Sequence, residues 1–244
     1  MTPERAGAGP RELIDIGPRL DDVRGRIARA ASRANRDLSS IRLVAVSKTF
    51  TADHVRAAAG AGQIDFGENK VQEALPKIAE TADLRVRWHL VGHLQSNKAK
   101  KAGAQFDVIH SVDGASLLRK LDEAAEEAGR RLELLVQVDL AGEPTKHGAR
   151  EEELLPIFEA AGGCRAATLT GLMLLPPEVE DPESARPYFR ALREVRERLL
   201  ARGVDGSRLN ELSMGMSHDF EVAIEEGATL VRVGTAIFGS RAHV

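Results

Sequence analysis

The stretch IRLVAVSK, Ile41 to Lys48, ends an apolar, β-branched run on a lysine. Lysines at strand ends are ordinarily solvated. An amine that is desolvated and set beside other cations, however, gives up its proton more readily and becomes a nucleophile. Two later stretches carry what such an amine would need opposite it. SMGMSHDF offers the hydroxyls of Ser213 and Ser217 around a glycine, just ahead of a helical pattern, and VRVGTAIFGS brings Gly234 and Thr235 to the end of an apolar run. Each alone is ordinary turn chemistry. Together they are the residue types that hold a phosphate through hydroxyls and backbone N–H groups. Arg232 shares a face with Leu230 and Gly234 under period-two alternation, and a covered arginine needs a partner on whichever side it points. An activated lysine facing a phosphate cradle points to a Schiff base with a phosphorylated carbonyl compound.

These residues need a scaffold that brings chain ends two hundred residues apart to one place. Leu13 to Asn35 reads as an amphipathic helix, with Leu13, Ile16, Leu20, Val23 and Ile27 at spacings of three and four. Eight strand-like runs follow: Ile41–Ser47, Ile64–Gly67, Val86–Val91, Val108–Ser111, Leu134–Leu140, Thr168–Leu174, Glu211–Met214 and Leu230–Val233. Helical patterns alternate with them at Ala52–Ala61, Val71–Thr81, Lys98–Ala104, Ala115–Ala128, Glu151–Ala161, Glu183–Ala201 and His218–Glu226. Gly62, Gly129, Gly162, Gly203 and Gly227 stand where left-handed helix ends are expected. Strict alternation means parallel strands with right-handed crossovers, and eight of them close a (β/α)8 TIM barrel. An open doubly wound sheet would carry a glycine-rich loop after its first strand, and SKTFTAD is not one. In a barrel the reactive groups sit at the C-terminal strand ends. That adds Glu68 and Asn69, His89 and His93, Ser111 and Asp113, and Met173 to the candidates.

Composition narrows the class. The chain has 244 residues, 43% hydrophobic and 29% charged, with a net charge of -3, which fits a soluble globular protein without a dedicated nucleic-acid surface. The locally basic SNKAKKAG reads as a solvated helix face. The single cysteine, Cys164, excludes an internal disulfide and a cysteine-based zinc site, and fits a reducing, cytoplasmic setting. No apolar run is long enough to span a bilayer, and the N-terminus lacks a signal-peptide core. The expected organisation is a flexible N-terminus over residues 1–12 and one barrel domain over 13–244, with an extra N-terminal helix.

VAVSKT, FGENKVQE, WHLVGHLQSNK, IHSVD, GLM, LSMGMSHDFEVAIEEG and VRVGTAIFG, in this order from about residue 41 to 239, resemble the pyridoxal phosphate homeostasis protein family. Lys70 and His218 depart from the family's usual residues, at positions not expected to hold the cofactor. The resemblance implies a fold-type III barrel like the alanine racemase N-terminal domain, carrying pyridoxal 5'-phosphate (PLP) as an aldimine at Lys48. It places Ser213, Ser217, Gly234 and Thr235 around the phosphate, Arg232 at the pyridine nitrogen and Asn69 near the ring. PLP-dependent apoenzymes are the implied recipients, with no nucleic acid or membrane involved.

An arginine cannot take a proton from the ring nitrogen, so the ring stays neutral and stabilises a carbanion less well. That favours a protein of PLP homeostasis over an enzyme. The alternative, an amino-acid racemase, needs a base on each face of the α-carbon. Related racemases take the second from a tyrosine in a C-terminal domain. Here five residues follow Gly239, and the one tyrosine, Tyr188, falls in a helical pattern. His89, His93 or His110 would have to substitute. A cofactor-free Schiff-base aldolase is the third reading. Without the second domain's dimer contact, a monomer is expected.

Overall fold

The computed structural model describes residues 15–140 and 147–239. The expected loose segment 1–12 and Leu13 lie outside them. Eight strands form: β1 (Arg42–Val46), β2 (Asp65–Glu68), β3 (Arg87–Leu90), β4 (Val108–Val112), β5 (Leu132–Gln137), β6 (Ala167–Met173), β7 (Glu211–Ser213) and β8 (Leu230–Val233). They pair in chain order, all parallel, and β8 returns to β1 from Arg42↔Leu230 to Ala45↔Val233, closing the barrel. The helices are α1 (Ile16–Arg33), α2 (Ala52–Gly60), α3 (Val71–Glu80), α4 (Ala99–Gln105), α5 (Ala115–Glu127), α6 (Glu151–Ala160), α7 (Arg186–Ala201), α8 (Phe220–Glu225) and α9 (Thr235–Phe238).

Alternation along each strand divides the apolar residues into two cores. Val44, Val46, Val91, Val108, Leu135, Met173 and Leu230 point inward and fill the barrel. A larger cluster, including Phe66, Trp88, Leu90, Ile109 and Leu212, fills the annulus between strands and helices. α1 buries Ile16, Leu20, Val23, Ile27, Ala30 and Ala31 and packs on α2, α8 and α9, covering the seam where the last strand meets the first. At about 1.5–3 kcal/mol for each large apolar side chain, that stripe is what seats the extra helix.

The differences from the expected elements have local causes. The run assigned to Glu183–Ala201 splits into a 3-10 turn, Pro182–Ala185, and α7. Pro187 has no N–H to continue a helix begun earlier, and sits in the first turn of α7, where that costs nothing. β5 starts at Leu132 and ends at Gln137, two and three residues before the expected bounds, and Val138 then bridges to Ala149. α1 stops at Arg33 and Asn35 takes a left-handed φ of 51°. Gly62, Gly129, Gly203 and Gly227 have positive φ, but Gly162 does not; it lies in a 3-10 turn. Among the described residues no helix is long and apolar enough to cross a membrane.

Candidate functional site

β1 delivers Lys48 through a turn that is fixed from behind. Val44 and Val46 face the barrel interior, and the same alternation carried past the strand end puts Lys48 on that side, half-buried. Ser47 faces the other way. Its N–H donates to the Gly67 carbonyl (2.9 Å), its Oγ donates to Glu68 Oε1 (2.7 Å), and its carbonyl accepts from Lys77 Nζ (2.8 Å). Lys77 and Glu68 are an ion pair at 2.5 Å, both buried between β2 and α3. Glu68 thus supports the turn from the helical layer and does not line the mouth, a correction to its expected place among the reactive strand ends. The residue after Lys48, Thr49, has φ +71°. A β-branched residue there is strained by about 1–3 kcal/mol, and the Ser47–Glu68–Lys77 cluster is the local structure that holds it.

β8, paired with β1, and β7 beside it supply the adjoining wall. Arg232 points into the barrel and is 3% exposed. Its Nη1 donates to Ser213 Oγ (2.5 Å) and its Nη2 to the Leu174 carbonyl (2.8 Å), and no carboxylate among the described residues forms an ion pair with it. Burial draws the guanidinium down to about 10, opposed by the charge of Asp219, so it remains a cation at neutral pH. The loop after β7 turns through Gly215 at φ +90°, where an added Cβ would lie 2.6 Å from Ala223 Cβ, so only glycine fits. Gly215 accepts from the Arg232 N–H (3.0 Å), which ties the loop to β8. Above it, the Gly234 N–H donates to Ser217 Oγ (3.1 Å). A Cβ on Gly234 would stand 3.1 Å from the Val46 carbonyl, so this corner abuts the end of β1. Phe238 of α9 packs on Phe50 just beyond Lys48, ring centroids 5.2 Å apart.

Asn69 leaves β2 beside Lys48's strand, half-buried, with the Gly92 backbone pressed against it; a Cβ there would be 2.2 Å from the Asn69 carbonyl oxygen. Lys48, Asn69, Ser217, Gly234 and Thr235 therefore stand on adjoining staves, in the order β7, β8, β1, β2 around one mouth. Ser213 does not join them. It is wholly buried below the mouth, and its hydroxyl lies between Arg232 and His110. His89 and His110 are likewise fully buried in the barrel, while His93 is exposed and stacks on His147 at 3.5 Å. Sequence reasoning passed over Lys77 and Asp65. The signal for Asp65 is an acid at an inward position of a strand, directly opposite Arg87 in the β2–β3 register. No group of three or more metal-ligating side chains is assembled among the described residues.

The sequence profile of the alanine racemase N-terminal domain matches residues 19–242. The pyridoxal phosphate homeostasis protein of Aquifex aeolicus is 42% identical over 225 residues, 92% of this chain and 98% of its own length. The chain belongs to the pyridoxal phosphate homeostasis protein family. Its relative from Pseudomonas aeruginosa, with the same description, is 42% identical over 229 residues, covering 94% of this chain and 97% of that protein. Among solved structures, PipY of Synechococcus elongatus with PLP bound superimposes with a TM-score of 0.81 at 40% identity, over 92% of this chain and all of that one. The expected fold class is thus met, both in the closed barrel and in the family.

Proposed function

We propose that this chain binds PLP at the barrel mouth, holds it covalently through Lys48 and serves PLP homeostasis by storing it or delivering it to PLP-dependent apoenzymes, as a monomer and without substrate turnover of its own. The observation that carries this reading is the convergence of Lys48, Asn69, Ser217, Arg232, Gly234 and Thr235 on four adjoining staves of one barrel end. The 40% identical PipY, whose structure has PLP bound, supports it. The residues fit the group. Gly234 leaves a corner that a Cβ would fill, and its N–H already meets an oxygen, Ser217 Oγ. Arg232 is a buried cation with donors to spare and no carboxylate paired to it among the described residues.

Bound PLP supplies an aldehyde for the lysine amine and a pyridine ring that draws electrons most strongly when its nitrogen is protonated. Arg232 governs the second property. A guanidinium donates and cannot accept, so it offers the ring nitrogen a hydrogen bond while leaving it without a proton of its own. Ser217, Gly234 and Thr235 hold the phosphate by hydroxyl and backbone N–H donors. Ser213, given to the phosphate on sequence grounds, instead supports Arg232 from below. His89 and His110 are committed to hydrogen bonds in the interior, so neither serves as a second base for racemisation.

The test is the visible spectrum of the purified protein before and after borohydride, with Lys48→Ala alongside. A yellow protein whose colour is lost on reduction, with the reduced adduct mapped to Lys48 by mass spectrometry, is expected; the variant should form no adduct. A colourless protein that takes up no added PLP sinks the reading. Inversion of alanine or another amino acid at a useful rate would replace the carrier with a racemase.

A further inference from the structure

Below the mouth, a line of polar groups crosses the otherwise apolar barrel interior. Arg232 Nη1 meets Ser213 Oγ at 2.5 Å, Ser213 Oγ meets His110 Nδ1 at 2.8 Å, His110 Nε2 meets His89 Nδ1 at 2.9 Å, and His89 Nε2 meets Asp65 Oδ1 at 2.8 Å. Ser213, His89 and His110 have no exposed surface, and Arg232 is 3% exposed. Asp65 is the first residue of β2, so the line ends at the floor of the barrel, where Arg87 Nη1 lies 3.5 Å from the same carboxylate oxygen. Valines and leucines from β1, β3, β4, β5 and β8 flank it. An apolar interior would be the cheaper filling, since each buried polar group must find every partner it needs.

The chemistry of the two ends fixes the direction of every bond between them. A guanidinium only donates and a carboxylate only accepts. Burial keeps both imidazoles below their usual range, His110 strongly, with His89 and Arg232 adding to it, so both rings are neutral and each has one N–H. Asp65 is held below the usual carboxylate range: burial raises it, and the His89 hydrogen bond with the charges of Arg87 and Arg42 outweighs that. One arrangement then satisfies all four contacts. His89 donates from Nε2 to Asp65, His110 from Nε2 to His89, Ser213 from its hydroxyl to His110, and Arg232 to Ser213.

We propose that Asp65 is a positioning residue for Arg232: through His89 and His110 it fixes the Ser213 hydroxyl as an acceptor, and so aims the remaining donors of Arg232 at the cofactor ring. The role rests on the PLP reading above; the hydrogen-bond order does not. In the absence of the floor carboxylate only the Arg232 end still dictates the tautomers. The His89 Nε2–H loses its acceptor, which favours the Nδ1–H ring and works back along the line against that order. Ser213 is then free to turn its proton towards Arg232, where two donors would oppose each other.

Nitrogen-15 NMR of the histidine rings in wild-type protein without PLP tests the order directly. Both rings should be neutral Nε2–H tautomers at pH 7.5. An imidazolium or an Nδ1–H ring at either position overturns the relay. Asp65→Leu should introduce Nδ1–H character at His110, which Asp65 does not touch, and weaken PLP binding by about tenfold, the scale of one hydrogen bond to a charged group. Asp65→Asn, which keeps an acceptor, should stay within about twofold. His89→Phe interrupts the line one link higher and should match Asp65→Leu, so the test survives if the floor variant does not fold. PLP affinity and absorption spectrum unchanged in both breaking variants would refute the positioning role. A wild-type protein that takes up no PLP would defeat the functional reading instead, and the tautomers would still decide the relay.

Discussion

Gly92 illustrates how tightly single residues define the mouth. Its position is set by the Asn69 backbone, and a methyl group there would lie 2.2 Å from one carbonyl oxygen and 2.9 Å from the Asn69 Cα. Backbone cannot rotate away as a side chain can, so Gly92→Ala must displace the segment that carries Asn69. Overpacking of this kind costs about 1–3 kcal/mol, and PLP binding should weaken with it. Gly114→Ala is the control: nothing lies within 4 Å of the added Cβ, and its stability should stay within about 0.5 kcal/mol of wild type. Urea melts of the two variants, with PLP titrations, separate these outcomes; equal effects would mean that the close approach at Asn69 does not matter. At this scale the sequence was informative where a residue's type is itself unusual. Lys48 after an apolar run and Arg232 within one both announce themselves. Ser213 was misplaced because a serine near a glycine reads as loop chemistry. The expected strand Glu211–Met214 already held it, but only the closed barrel shows its hydroxyl turned inward below the loop, between Arg232 and His110.

At the scale of elements, the β1 end is held by a helix that packs outside the barrel. Lys77 on α3 reaches both Glu68 and the Ser47 carbonyl, and Glu68 Oε2 has no hydrogen-bond partner. Removing the lysine would leave a buried carboxylate uncompensated. Lys77→Met is therefore expected to destabilise the fold by about 3–5 kcal/mol, while the double variant Lys77→Met with Glu68→Leu should recover most of the loss. The recovered protein should nonetheless hold PLP less well, because Ser47 has lost two of its three anchors. Chemical denaturation of both variants checks the first part and a PLP titration of the double variant the second; a double variant as unstable as the single would show that the pair matters for more than its charges. None of this was readable from the sequence, where Lys77 is one polar residue of an amphipathic pattern and Glu68 sits in a run that reads as strand end. The strands and most helices were readable because burial on two sides leaves continuous apolar runs. The short α9 was not, since Thr235–Phe238 offers a single turn and no period to detect.

For the molecule as a whole, alternation of strand and helix was enough to name the closed barrel, because few topologies accept eight parallel strands in sequence. The polar line within it was beyond that reading, since its members come from β2, β3, β4, β7 and β8 and only the closed register brings them together. That line also gives the whole fold a pH dependence. His89 and His110 are neutral in the folded chain, lowered by burial from the ordinary imidazole value of about 6.5 that the unfolded chain recovers. The groups facing them are Asp65, which raises His89, and Arg42, Arg87 and Arg232, which lower one or both. Below pH 6.5 the unfolded chain takes up protons that the folded chain refuses. Their contribution to stability is therefore complete above about pH 6.5 and is lost as pH falls from there towards the folded values, at up to about 1.4 kcal/mol per pH unit for each histidine. Exposed His93, also lowered by burial and by His147, adds a smaller share. Unfolding free energies from urea melts at intervals between pH 7.5 and 5 should fall with this slope, and His110→Gln should remove close to half of it. Stability that stays level over that interval would mean the buried imidazoles are already charged, and with them the order of the line from Asp65 to Arg232 would be wrong.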